Sequence, residues 1–203
     1  GVITPAVRVT ALDGFGNIAT GFTGAVTIAI GNNPVGGVLS GTTSLAAVSG
    51  VAVFSSLSVD KAGSGYTLQV TAPGLAAATS GAFDVTAGTA TQLAVTVQPS
   101  TTMAGAPITP AIEVVARDAL GNTVTAFVGS VTVSITAGTG TPGAVLSGTR
   151  TVAAVGGSAT FSTLSINKSG TNYTLTATAS GLPSGISAPF TITAGTVTQL
   201  VVT

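Results

Sequence analysis

Cysteine, histidine and tryptophan are all absent from this 203-residue chain. Without Cys or His there is no common zinc site, thiol nucleophile, Ser-His-Asp triad or redox pair. The missing cysteine leaves the compartment open, because secreted proteins either use disulfides or avoid them. Charge is also scarce. Charged residues form 5% of the chain, and five Lys and Arg are offset by five Asp and Glu, where roughly a quarter of a typical domain is charged. Nucleic-acid binding requires a basic field that releases counterions from phosphates, and no such field can be assembled here. The same shortage excludes electrostatic attraction to anionic membranes.

Long apolar runs are missing too, although the mean hydropathy is +0.69. Gly, Ser and Thr interrupt each run before the ~18 consecutive residues that a spanning helix needs. A transmembrane barrel would require ~10-residue lipid-facing strands between aromatic girdles. Phe and Tyr make up 4% of the chain and form no paired belts. Gly1 is followed by neither a charged n-region nor an apolar h-region, so any export signal is expected to have been removed or to lie upstream.

What the chain does contain is one unit written twice. Ile3-Thr-Pro-Ala-Val-Arg-Val-Thr-Ala-Leu-Asp-Gly-Phe-Gly-Asn17 returns as Ile108-Thr-Pro-Ala-Ile-Glu-Val-Val-Ala-Arg-Asp-Ala-Leu-Gly-Asn122. The copies drift apart by two residues before Leu39 and Leu146, and the insertion falls in the Gly- and Pro-rich stretch 137–143, opposite 31–37. Such stretches are surface loops that tolerate length change. Thr86-Ala-Gly-Thr-Ala-Thr-Gln-Leu93 then recurs as Thr193-Ala-Gly-Thr-Val-Thr-Gln-Leu200. The repeat predicts one domain over 1–88 that lacks its own first strand, and a second over 89–195. Residues 196–203 are then the first strand of a following unit or a strand donated to another subunit, with Leu200 and Val202 as its inward residues.

Within each copy the apolar pattern has period two, as in strands with one buried face, and no stretch reads as helix. Val7, Val9 and Ala11 share a face opposite Arg8, Thr10 and Leu12. In the copy, Ile112, Val114 and Ala116 oppose Glu113, Val115 and Arg117. Further inward sets are Val26, Ile28 and Ile30, then Tyr66, Leu68 and Val70, then Phe83 and Val85. Between Phe54 and Leu57 the phase jumps by one, which predicts a β-bulge at Ser55-Ser56 and another at Ser162-Thr163. Short strands punctuated by Gly, Pro, Asn and Asp describe an all-β chain of tandem immunoglobulin-like Greek-key β-sandwiches. Tyr66 and Tyr173 take the tyrosine-corner position, two residues before an inward Leu.

At Val9-Thr-Ala-Leu-Asp-Gly-Phe-Gly-Asn17, Gly24-Ala-Val-Thr-Ile28, Gly50-Val-Ala-Val-Phe54 and Gly65-Tyr-Thr-Leu68, the chain resembles bacterial Ig-like repeats of the invasin and intimin type (the Big family). The copy carries the same blocks at 114–122, 129–133, 157–161 and 172–175. The resemblance covers nearly the whole chain. It implies β-sandwiches in large bacterial surface or secreted proteins, generally without catalysis.

Asp13 and Asp118 have the oxygen ligands of a calcium loop when joined by Asn17 and Asn122. A calcium site takes 6 to 8 oxygens, and no other acidic residue is near in sequence. Structural turns are the reading taken: Asp13, Gly16 and Asn17 form one, Asp118, Gly121 and Asn122 the other, with Asp accepting turn N–H bonds and Gly supplying the unusual φ. Asp60 and Asp84 would have to face one another for glycosidase chemistry, yet the copy has Asn167 and Thr191 in their places. The sequons at Asn167 and Asn172 are chance patterns of a Ser- and Thr-rich chain. No catalytic residue, cofactor-binding residue or metal set is therefore assigned, and calcium is kept only as the alternative.

Lys61 and Lys168 both sit in turns, so the strand edges lack the charged guards that soluble sandwiches carry. The expected function is a non-enzymatic structural repeat of a bacterial extracellular filament, sheath or surface layer, assembled by strand exchange. Self-association or neighbouring identical repeats are the expected partners, with no nucleic acid and no membrane span, and receptor and glycan are left open. The alternatives are the stalk of a cell-surface adhesin that presents a distal binding domain, and an accessory module of a secreted enzyme.

Overall fold

The computed structural model describes residues 1–202. It separates into two compact units, Gly1–Ala87 and the chain from Gly88 onward, and every regular element among the described residues is a β-strand. Unit 1 contains β1 (Val7–Thr10), β2 (Ala25–Ile30), β3 (Leu39–Ser40), β4 (Ser44–Ala46) and β5 (Val51–Phe54). It continues with β6 (Ser58–Val59), β7 (Gly63–Tyr66), β8 (Leu68–Thr71), β9 (Ala78–Thr79) and β10 (Phe83–Val85). Unit 2 begins with two strands that have no counterpart in unit 1, β11 (Gln92–Val97) and β12 (Thr102–Met103). The remaining ten follow the order of unit 1. They are β13 (Ile112–Arg117), β14 (Ser130–Ile135), β15 (Leu146–Ser147), β16 (Thr151–Ala153) and β17 (Ser158–Phe161), then β18 (Ser165–Ile166), β19 (Gly170–Tyr173), β20 (Leu175–Ala179), β21 (Leu182–Ile186) and β22 (Phe190–Thr193).

Each unit is an immunoglobulin-like β-sandwich. In unit 1 a sheet in the order β4-β2-β8-β9 lies against the β1-β5 pair, with β10-β7 and β3-β6 completing it. Alternation explains the strands: β2 buries Val26 and Ile28 while Ala25, Thr27 and Ala29 face out, and β14 repeats this with Val131 and Val133. Val26, Ile28, Ala47, Ala52, Phe54, Leu57 and Leu68 meet in one core. In unit 2 the larger sheet is β16-β14-β20-β21, and β11 and β12 extend the other two ladders to β11-β13-β17 and β12-β22-β19. Outward hydroxyls pair across the strands, Thr27 with Ser44 at 3.2 Å and Thr132 with Thr151 at 2.9 Å. Such pairs are among the contacts that stabilise a sheet surface without charge.

Two details differ from the sequence reading. The phase jump after Phe54 is not a β-bulge within one ladder. The ladder of β5 with β1 breaks at Ser55, and β6 then gains β3 as a partner while Val2 and Ile3, ahead of β1, stay bonded to Ser58 and Leu57 in a shifted register. Ala52, Phe54, Leu57 and Val59 are nonetheless all buried. The same break between β17 and β18 replaces the bulge expected at Ser162-Thr163. Val115, on the outward set of β13, is also buried. It sits in a central strand between Ala94 and Ser158, whereas its counterpart Thr10 has a paired neighbour on one side only and is half-buried.

Candidate functional site

The two Asp loops are built alike and end differently. In unit 1, Asp13 Oδ1 accepts the Phe15 and Asn17 N–H groups at 2.9 Å each, and Oδ2 accepts Asn17 Nδ2 at 3.1 Å. The backbone closes the turn through Asp13 N–H to Asn17 O and Gly16 N–H to Asp13 O. Gly16 has φ +86°, a left-handed conformation that glycine adopts without a Cβ penalty. In unit 2, Asp118 Oδ1 accepts Leu120 and Asn122 N–H, and Oδ2 accepts Asn122 Nδ2 in the same way. Oδ2 accepts one further bond, from Gly88 N–H at 2.9 Å. Gly88 opens the segment that leads into β11, so the Asp118 carboxylate pins the entry of the first strand. Asp13 is exposed and, among the described residues, receives no corresponding bond, whereas Asp118 is 4% exposed.

These bonds set the acidity of both groups. Around Asp118 the largest single influence is burial, which raises the pKa. The N–H donors Gly88, Asn122 and Leu120 together outweigh it and hold the carboxyl at about 2, down from 3.8. Asp13 is lowered as well, first by the Asn17 side chain and then by the Asn17 and Phe15 N–H groups. A carboxylate whose folded pKa is depressed contributes stability that is fully present above its unfolded value and is lost as pH falls toward the folded one. Asp118 is therefore expected to remove about 1 to 2 kcal/mol from unit 2 between pH 5 and pH 2. Calorimetry of the wild type and of Asp118→Asn at those two pH values checks this, because the variant should show a shallower acid loss in unit 2. Glu113 adds to the same acid limb. Its carboxyl is lowered by the Ser158 hydroxyl at 2.6 Å and the Thr96 hydroxyl of β11 at 2.9 Å.

The other sequence candidates are placed as follows. Tyr66 Oη donates to Lys61 O and Tyr173 Oη to Lys168 O, each at 2.9 Å and five residues upstream, with both rings fully buried. Asp60 Oδ1 accepts Val38 N–H, and Asn167 Oδ1 accepts the matching Val145 N–H, so the acceptor is kept when the charge is not. Asp84 Oδ1 accepts Gly65 N–H. Among the described residues no three Asp, Glu, His or Cys side chains gather as metal ligands, and no helix is long and apolar enough to cross a membrane. Leu200 is 95% exposed and Val202 fully so, in a segment without strand structure from residue 194 to 202. Thr203, the last residue of the expected donated strand, lies outside the described residues.

The feature that sequence reasoning reached only indirectly is a pair of apolar hollows on unit 1, together called its groove. One part, about 310 Å³, is lined by Val9, Ala11, Leu12, Val26, Val70 and Leu75 among others. A second part, about 490 Å³, is lined by Ile3, Val7, Phe83 and Val85 among others. In unit 2 the counterparts Val114, Ala116, Val131, Ala177, Ile108, Ile112, Phe190 and Ile192 are buried, and those of Leu12 and Leu75, Arg117 and Leu182, are half-buried. In unit 2, β11 pairs with β13 and lies against β20 and β21, while β12 pairs with β22. The groove of unit 1 is thus the place that β11 and β12 fill in unit 2.

No family model matches the chain, and no curated protein matches it. Among solved structures it is similar to a β-glycosidase from Bacteroides vulgatus at TM-score 0.42 and 15% identity, over 84% of this chain and 21% of the enzyme. It is also similar to domains 4 and 5 of the S-layer protein SbsC at TM-score 0.33 and 18% identity, over 90% of this chain and 78% of that one. The Yersinia pseudotuberculosis adhesin InvE aligns at TM-score 0.36 and 18% identity, over 92% of this chain and 53% of the adhesin. The chain spans about a fifth of the length of the glycosidase. Identities this low transfer no activity, ligand or location.

Proposed function

We propose that the chain is a non-enzymatic structural repeat of a bacterial extracellular filament, sheath or surface layer, in which copies pack against one another and exchange strands. The observation that carries this reading is the state of its edges and surface. Of the four edge strands of the two larger sheets, β4, β9 and β16 read Ser-Leu-Ala, Ala-Thr and Thr-Val-Ala, with neither charge nor proline, and only β21 carries a proline, Pro183. Unpaired edges of this kind template further strand pairing unless something covers them. Beside them, Val48, Val128 and Val155 are each more than two-thirds exposed, and Phe15 stands at 94%. Apolar side chains left in water at so many turns favour contact with a neighbouring surface. The resemblance to bacterial Ig-like repeats supports the same reading.

Electron microscopy of the native assembly tests it. The expected image is an ordered polymer or lattice in which these sandwiches touch laterally. Isolated projections, each ending in a separate binding domain, would replace it with the adhesin-stalk reading.

A further inference from the structure

Three observations converge on the groove of unit 1. First, it is the seat of a strand: Val9, Ala11 and Leu12 correspond to Val114, Ala116 and Arg117, which pair with β11; Val70 and Leu75 correspond to residues of β20 and β21, against which β11 lies; and Val85 corresponds to Ile192, which pairs with β12. Second, the chain holds a second segment with the sequence of β11, the strand that fills the part of that seat lined by Val9, Ala11 and Leu12. Residues 193–200 match 86–93 at seven of eight positions, and Val201 and Val202 follow where Ala94 and Val95 stand in β11. Third, that segment is unpaired and exposed, and β22 of its own unit ends at Thr193 without it.

We infer that residues 195–202 of one copy seat as a β-strand in the groove of unit 1 of a second copy, antiparallel to β1. Resting on the packed-assembly reading above, this names its partner and its register. The pairs of β11 with β13 are Gln92↔Arg117, Leu93↔Ala116, Ala94↔Val115 and Val95↔Val114. Carried over, they become Gln199 with Leu12, Leu200 with Ala11, Val201 with Thr10 and Val202 with Val9. Leu200 takes the place of the buried Leu93, between Val26 and Val70 of the acceptor.

The Asp loop then gains a role. Gly195 occupies the repeat position of Gly88, so its N–H is delivered to Asp13 Oδ2 of the acceptor as Gly88 N–H is to Asp118. The turn that looked like a paired metal site is the latch for an incoming strand. One position differs. Gly185 lets Leu93 O pass 2.8 Å from where a Cβ would stand, and unit 1 has Ala78 there. The seated strand accordingly lies slightly further out beside β9, which is only two residues long.

The test uses the full 203-residue chain. In light scattering across a concentration series, the wild type is expected to associate. The double variant Leu200→Asp, Val202→Asp should associate about tenfold or more weakly, because two buried apolar side chains are lost from the contact. Unit 2 should keep its unfolding temperature, since residues 194–202 take part in none of its strands, whereas unit 1 should lose the stabilisation that a seated strand supplies in the associated wild type. The chain has no cysteine, so a mixture of Thr10→Cys and Val201→Cys chains reads the register by oxidation. That mixture should cross-link, whereas Arg8→Cys with Val201→Cys should not, being displaced by about 7 Å along the strand and out of disulfide reach.

Prefixing the chain with a second copy of residues 86–107 should fill the groove within one polypeptide and abolish the association. Equal cross-linking at positions 8 and 10, or association unchanged by either the double variant or the prefix, overturns the inference. A wild-type chain that stays monomeric while the prefix stabilises unit 1 also overturns it, since the groove then takes a strand of its own polypeptide. These results would remove strand exchange from the proposed function but not the packing of copies against one another, which fails only if microscopy shows isolated projections.

Discussion

Phe161→Ala is expected to lower the stability of unit 2 by about 3 to 5 kcal/mol, visible in calorimetry as a drop of about 10 °C or more in its transition. Phe161 is 1% exposed. It lies opposite Ile112 at the last rung of β13 and β17, and it shares a core with Val131, Val133, Leu164, Tyr173 and Leu175. Truncation leaves a void that these neighbours cannot fill without moving strands, because β11 closes that flank of the unit. Phe54→Ala removes the equally buried ring of unit 1. Its core borders the open groove, where side chains have room to relax, so the loss should fall at the lower end of the same range. A Phe161→Ala loss below about 1 kcal/mol would show that the core of unit 2 is not packed as described.

Gly148→Ala is the other large effect, and its origin is the backbone. Gly148 has φ +96°, and a Cβ built there would stand 2.1 Å from Thr163 O. A side chain at such a φ carries a strain of about 1 to 3 kcal/mol. The clash is with a backbone carbonyl that no rotamer change can move aside. Relief requires shifting Thr163, whose hydroxyl holds Thr149 N–H at 2.9 Å, and with it the pairs Leu146↔Ile166 and Ser147↔Ser165. The expected total is about 3 kcal/mol or more, measured as the loss of unit 2 stability in urea. Gly41→Ala repeats the experiment in unit 1, where the same Cβ would meet Ser56 O at 2.1 Å.

Alternation made most of the fold legible, since a one-residue slip would have turned Val26 and Ile28, or Tyr66 and Leu68, outward. The jump between Phe54 and Leu57 was readable as a change of phase. Its device was not, because a bulge and a change of partner leave the same trace in one strand's sequence. The offsets of Gly16 and Asn17 lead the sequence to turns at the Asp loops, where Asp13 N–H bonds to Asn17 O and Gly16 N–H to Asp13 O. The Gly88 bond to Asp118 was not readable, because it joins residues thirty apart that only the placement of β11 brings together. The repeat alone predicts a first unit with no counterpart of β11. It does not predict the walls of the groove, since exposure of Val9, Val70 and Val85 follows from three-dimensional neighbours rather than from residue type.

A donor segment after β22 and an acceptor groove beside β1 are unlike surfaces, so a contact between them is heterologous and need not close on itself. Chains joined that way have polarity. One terminus of the chain of subunits always offers a vacant seat and the other an unspent strand, so growth and its arrest are separate chemical events. A short peptide with the sequence of residues 195–202 would cap one terminus and leave the other free to extend.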